Sequence, residues 1–207
     1  DSAGNNFFGQ ENTIPVTVDE LIPLTRAVVN STTRAMVVAD FPFGSYESGP
    51  DAALATGIRF FKEAKAHGVK LEGGKRVVPQ IKKLIESGIP VMGHLGLTPQ
   101  SVHALGGFKV QGRGDDAARI IEDAKALEAV GVFALVLELV PEELAEQITK
   151  ELSIPVIGIG AGAKCDAQVL VWTDLMGITK NAPKLAKAYR NLRIEMLNAA
   201  KEYANDV

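Results

Sequence analysis

The sequence predicts an α/β fold, and within that class a (β/α)8 TIM barrel, on two observations. Short apolar runs alternate with amphipathic stretches, the pattern of a parallel sheet covered by helices. Run after run then ends, on its C-terminal side, in an ionisable residue or glycine: Asp40, Glu72, His94, Glu138, Gly160 to Gly162, and Asp174. A barrel gathers its active site at that mouth. A doubly wound open sheet places its ligand mainly at one switch point.

Six runs read as strands, at about 35–42, 68–73, 90–95, 133–140, 155–160 and 168–173. Their near-continuous apolar, β-branched character is that of strands covered on both faces. Between them, Thr17 with Glu20 predicts a capping box opening a helix to about Val29. Pro50 suits the first turn of a helix carrying Ala53, Leu54, Gly57, Ile58 and Phe61. Further helices are expected near 76–87, 115–130 and 141–152, with a last one across 182–205. The chain reads as a single barrel domain over 1–207. A closed barrel has eight strands and typically about 250 residues, so two strands are missing from this count.

Composition excludes several classes. A formal net charge of -3 leaves no basic footprint for nucleic acid. The single cysteine, Cys165, rules out an internal disulfide framework and suits a reducing cytoplasmic setting. No run of 18 or more apolar residues is present to span a membrane, and DSAGNNFFGQ lacks the features of a signal peptide.

Candidate chemistry sits at the strand ends. Asp40 either caps the following turn or, joined by Glu72 and Asp1, offers oxygen ligands suited to a hard ion such as Mg2+. Lys70 and Glu72 are two apart and share a strand face. They read either as a structural ion pair or as a carboxylate receptor beside a metal ligand. Glu138, in LVLELVP, is either a desolvated general base or a glutamate satisfied by a neighbour. PVIGIGAG lacks GxGxxG spacing and a P-loop lysine, so it is weak as a phosphate cradle. His94 alone reads as a core residue, His67 as a helix-end cap, and Cys165 as inert. The loop between the third and fourth runs, about twenty residues with His103 and Arg113, is too long for a plain connection. Apolar residues spaced through it (Leu97, Val102, Leu105, Phe108, Val110) predict an ordered cover.

Taken together, these residues resemble the ketopantoate hydroxymethyltransferase family. DS at 1–2, TIPVT at 13–17, ADFPFG at 39–44, VKLEGG at 69–74 and GHLGLTPQS at 93–101 carry the resemblance. GGFKVQGRG at 106–114, LVLELVP at 135–141, PVIGIGAG at 155–162 and CDAQVLV at 165–171 continue it in order. It implies hydroxymethyl transfer from 5,10-methylenetetrahydrofolate to 3-methyl-2-oxobutanoate, with Mg2+ as cofactor. It also implies Asp1 and Asp40 as metal ligands with Glu72 reaching the ion's water, and Ser2 and Lys70 on the oxoacid carboxylate. Glu138 matches the base that removes the C3 proton, and His94 lies beside the hydroxymethyl site. A large cyclic homo-oligomer, a decamer, is expected on the same ground. The resemblance further implies that the barrel's first two strands precede Asp1, making the 207 residues an N-terminally truncated fragment. Two other readings are a lyase or mutase barrel of the isocitrate lyase type and a non-catalytic assembly subunit.

Overall fold

The computed structural model describes residues 2–207. Six strands follow one another across one sheet in chain order: β1 (Val38–Asp40), β2 (Gly68–Glu72), β3 (Val91–Gly96), β4 (Ala134–Glu138), β5 (Val156–Ile159) and β6 (Ala167–Gln168). The four pairings from β1 to β5 are parallel. Each step across the sheet therefore needs a crossover, which a helix supplies. This is the α/β arrangement of a partial (β/α)8 barrel. The chain divides into two compact units, the first ending at Ala167 and the second being Gln168–Val207.

The first unit holds α1 (Ala3–Asn6), α2 (Val18–Ser31), α3 (Pro50–Arg59), α4 (Val78–Glu86), α5 (Asp116–Val130) and α6 (Glu142–Glu151). The capping box forms as the sequence predicts. Glu20 N–H donates to Thr17 Oγ1 at 3.2 Å, and Thr17 N–H donates to Glu20 Oε2 at 2.8 Å. Pro50 opens α3, where its missing N–H leaves no helix bond unmade.

Strand residues alternate between two environments. Val69, Leu71, Val91, Leu135, Leu137 and Val156 are fully buried. Gly93 belongs to this face: a Cβ there would lie 2.9 Å from Leu127 of α5, so only glycine lets that helix seat closely. On the other face Lys70, Met92, Gly96, Glu138 and Ile159 are half-buried, while Glu72, His94 and Val136 are buried. The two faces are thus not equally covered, contrary to the expectation from the apolar runs. Every second residue supplies the helix-packed core, and the residues between carry the charge.

Four further expectations need correction. The run at 35–42 yields only three strand residues, because Pro42 cannot donate to a ladder and the chain turns at Pro42–Ser45. The run at 168–173 is not a buried strand. Val169 and Trp172 are exposed, and Trp172 begins the helical turn α7 (Trp172–Leu175), so Asp174 lies in a helix rather than at a strand end. The last helix, α8, spans Leu192–Asp206 rather than 182–205. Pro183 disfavours helix before it, and Tyr189 N–H is spent on Leu175 O at 2.8 Å. Finally, His67 caps no helix; its Nδ1 accepts from Val37 N–H at 3.0 Å, beside the start of β1.

Candidate active site

Parallel register decides which side chains meet. Asp40 pairs with Lys70, Glu72 with His94, and Gly96 with Glu138, so the sequence-predicted residues stand on adjacent strands. Paired residues in a parallel sheet point to the same face, and residues two apart on a strand share it. Lys70 and Glu72 on β2, His94 and Gly96 on β3, and Glu138 on β4 therefore form successive levels of one surface. Gly96 has no side chain at the level of Glu138. With φ of +90°, a Cβ there would come 2.1 Å from Glu138 O.

The charges are tightly coupled. Lys70 Nζ lies 2.7 Å from Asp40 Oδ1 and 3.2 Å from His94 Nδ1. Burial alone would push the Asp40 carboxyl up, but neighbouring positive charge, Lys70 foremost, holds Asp40 well below the usual carboxylate range. Burial likewise works against the Lys70 charge, and the Asp40 and Glu72 carboxylates overcome it and raise its pKa. Desolvation pushes Glu72 up to about 7, with Lys70 opposing and Asp40 adding to the effect. His94 is pulled down by burial and by the Lys70 charge. A neutral His94 accepts from Lys70 at Nδ1, which leaves its proton on Nε2. That nitrogen faces Glu138 Oε2 at 3.3 Å.

Two residues that the sequence reading did not single out complete the site. Gln100 follows β3 in a short 3-10 turn and is buried. Its backbone N–H donates to Glu72 Oε2 at 3.1 Å, and its Nε2 donates to Phe41 O at 2.7 Å. Tyr46, 1% exposed, donates its hydroxyl to Gln100 Oε1 at 2.7 Å. A buried glutamine and tyrosine in a strand-end loop are visible in the sequence only as polar residues among apolar ones. Their partners lie 54 and 59 residues away.

Of the other candidates, Ser2 is exposed, preceding α1, and Asp1 lies outside the described residues. His103 and Arg113 are exposed in the loop after β3. The Gly-rich turn after β5 receives a carboxylate, since Ala163 N–H donates to Glu142 Oε1 at 3.2 Å, in keeping with its weakness as a phosphate motif. Burial pushes the Cys165 thiol up, away from a reactive thiolate.

Among the described residues no three His, Cys, Asp or Glu side chains gather as a ready metal cluster. Asp40 and Glu72 nonetheless supply an all-oxygen pair, and Glu72 Oε1 is buried with no hydrogen-bond partner. An orphaned, desolvated carboxylate oxygen beside a second carboxylate fits a hard divalent cation or its water. No helix among the described residues is long and apolar enough to cross a membrane.

A family model described as ketopantoate hydroxymethyltransferase matches residues 1–207. The chain is 57% identical over 208 residues to the 3-methyl-2-oxobutanoate hydroxymethyltransferase of a Nocardioides species, covering 100% of this chain and 70% of that protein. It is 57% identical to the enzyme of the same name from Frankia alni (100% and 69% covered) and 58% identical to that from Mycobacterium ulcerans (100% and 70%). Among solved structures, a putative lyase/mutase from Burkholderia cenocepacia J2315 aligns with a TM-score of 0.57 at 17% identity, over 99% of this chain and 72% of that one. That likeness shows the fold.

Proposed function

Because the chain belongs to the ketopantoate hydroxymethyltransferase family, we propose that it transfers a hydroxymethyl group from 5,10-methylenetetrahydrofolate to 3-methyl-2-oxobutanoate, giving 2-dehydropantoate in pantothenate biosynthesis. The observation that carries the reading is the placement of Lys70, His94 and Glu138 on one face. It brings a fixed cation, a neutral imidazole and a carboxylate to adjacent strand ends.

The difficult step is removal of a proton from the carbon beside a ketone. Lys70 takes the substrate carboxylate, with Ser2 as a second contact from the family motif. Glu138 accepts the C3 proton on its carboxylate, and the electron pair left behind forms the new bond to the one-carbon unit, whose bonds to the folate nitrogens break to release tetrahydrofolate and whose hydroxyl oxygen comes from water. His94 Nε2–H, facing Glu138 Oε2, is placed beside that unit and orients the base. Asp40 and Glu72, with Asp1 from the family motif, would hold Mg2+. When bound, the ion supplies Lewis-acid stabilisation of the negative charge that develops on the substrate's keto oxygen. A cytoplasmic homo-oligomer, a decamer, goes with this reading.

The test is Mg2+-dependent exchange of the C3 hydrogen of 3-methyl-2-oxobutanoate into D2O, followed by proton NMR without folate. Exchange is expected. Its absence under saturating oxoacid would overturn the assignment.

A further inference from the structure

Leu139, the residue after Glu138, has a backbone φ of +46°. Leucine does not favour this left-handed conformation, because its Cβ crowds the following carbonyl. Such residues persist where the surroundings over-determine them, and they cluster at functional sites. Three backbone hydrogen bonds hold this one. Glu138 O accepts from Leu97 N–H at 2.8 Å, Leu139 N–H donates to Ile159 O at 3.0 Å, and Leu139 O accepts from Gln111 N–H at 2.9 Å.

The first two bonds reach the neighbouring strand ends. The third reaches the far end of the loop that follows β3. That end is itself seated: Gly112 N–H donates to Asp116 Oδ2 at 2.8 Å, and a Cβ on Gly112 would come 2.4 Å from Leu144. Between the anchors the loop is open, with Phe108 62% exposed. The loop therefore meets the site twice, through Gln100 on Glu72 and through Gln111 on the residue beside Glu138.

We propose that Leu139 is a positioning residue, whose left-handed backbone, locked by Gln111, sets the direction in which the Glu138 carboxylate is presented to the substrate. The proposal rests on Glu138 acting as the base. Valine at 139 would disfavour a positive φ, because a β-branched side chain is a genuine outlier there. Asparagine adopts the left-handed region readily, so it keeps the lock while removing the leucine side chain.

The experiment compares Leu139→Val with Leu139→Asn in the full protein. Misplacing a reacting group by about 1 Å can cost ~10²-fold, so Leu139→Val is expected to slow C3 exchange by ~10- to 100-fold at saturating oxoacid. Its half-saturating oxoacid concentration should stay within about twofold, because substrate binding through Lys70 is untouched. The Gln111 amide should exchange hydrogen about tenfold faster in that variant, a readout that needs no catalysis. Leu139→Asn should keep the exchange rate within about threefold and retain Gln111 protection. An equal loss in both variants would assign the effect to side-chain packing and overturn the proposal. A wild-type rate in Leu139→Val, or unchanged Gln111 protection, would overturn it too. Absence of C3 exchange in the unsubstituted protein is the separate result that removes the hydroxymethyltransferase reading itself.

Discussion

Lys70 Nζ and Asp40 Oδ1 stand 2.7 Å apart across the paired positions of β1 and β2, with both side chains mostly buried. Removing one member of such a pair leaves an uncompensated charge, at a cost of about 3–5 kcal/mol. Lys70→Met should therefore destabilise the metal-free protein by about 3 kcal/mol in urea unfolding at pH 7, the low end because the pair is not fully enclosed. Adding Asp40→Leu should restore part of the loss. A double variant that is less stable than the single one would show that the pair is not the relevant unit.

Glu72 makes stability depend on pH. A carboxyl raised from its ordinary 4.5 to about 7 binds its proton more tightly in the folded state. Its favourable contribution is complete below pH 4.5 and is lost as the pH rises from 4.5 to about 7. The loss is on the order of 3 kcal/mol for the metal-free protein. His94, lowered from its ordinary 6.5, acts in the opposite sense, so acidification below that value costs stability. Unfolding free energies of wild type and Glu72→Gln should therefore diverge across pH 4.5–7, the wild type declining relative to the variant. Parallel profiles would show that Glu72 is not desolvated as described.

Glu138→Gln preserves shape and removes the proton acceptor. The rate of C3 exchange should fall by ~10²- to 10⁴-fold, the usual contribution of a positioned base. Far-UV circular dichroism and the unfolding midpoint should hardly change, because glutamine keeps the size and shape of the side chain. A variant that exchanges at the wild-type rate would move the base elsewhere, with His94 the next group to examine.

Tyr46→Phe deletes the hydroxyl that donates to Gln100 Oε1 and leaves that buried oxygen short of a partner. Loss of one side of a buried hydrogen bond costs about 1–3 kcal/mol. Combined with Gln100→Ala, the two effects should not add, since both act on one network. Strict additivity in thermal unfolding would show that Tyr46 acts independently of Gln100, through the hydrogen bond its hydroxyl accepts from Glu72 N–H at 3.3 Å.

The strand and helix order was legible because short apolar runs alternate with amphipathic stretches; that helix-packed burial falls on every second strand residue, as at Leu135 and Leu137, was not. Asp40, Lys70, Glu72, His94 and Glu138 stood out in the sequence as polar residues at the ends of such runs, but each also had a structural reading, and only the family resemblance suggested roles for them. The run from Gln168 to Thr173 misled for the converse reason. It has the composition of a strand, but Val169 and Trp172 face solvent in the structure. Composition records what could be buried, and neighbours decide whether it is. Gln100, Tyr46 and the left-handed Leu139 were illegible because each is defined by partners distant in the chain. No periodicity encodes a hydrogen bond between residues 46 and 100.

The same strand direction that brings the charged residues to one edge leaves the turns at the opposite edge chemically idle. Ser87 and Gly88, between α4 and β3, are exposed there, and nothing lies within 4 Å of where a Cβ on Gly88 would be. Ser153, between α6 and β5, is likewise exposed; its hydroxyl donates to Glu128 Oε1 and that of Ser87 to Lys83 O, each at 2.8 Å. The chain's only native thiol is the half-buried Cys165. Serine 87 is thus a natural attachment point for a fluorophore or a surface tether. An immobilised molecule held by that edge would present its reactive face to solution.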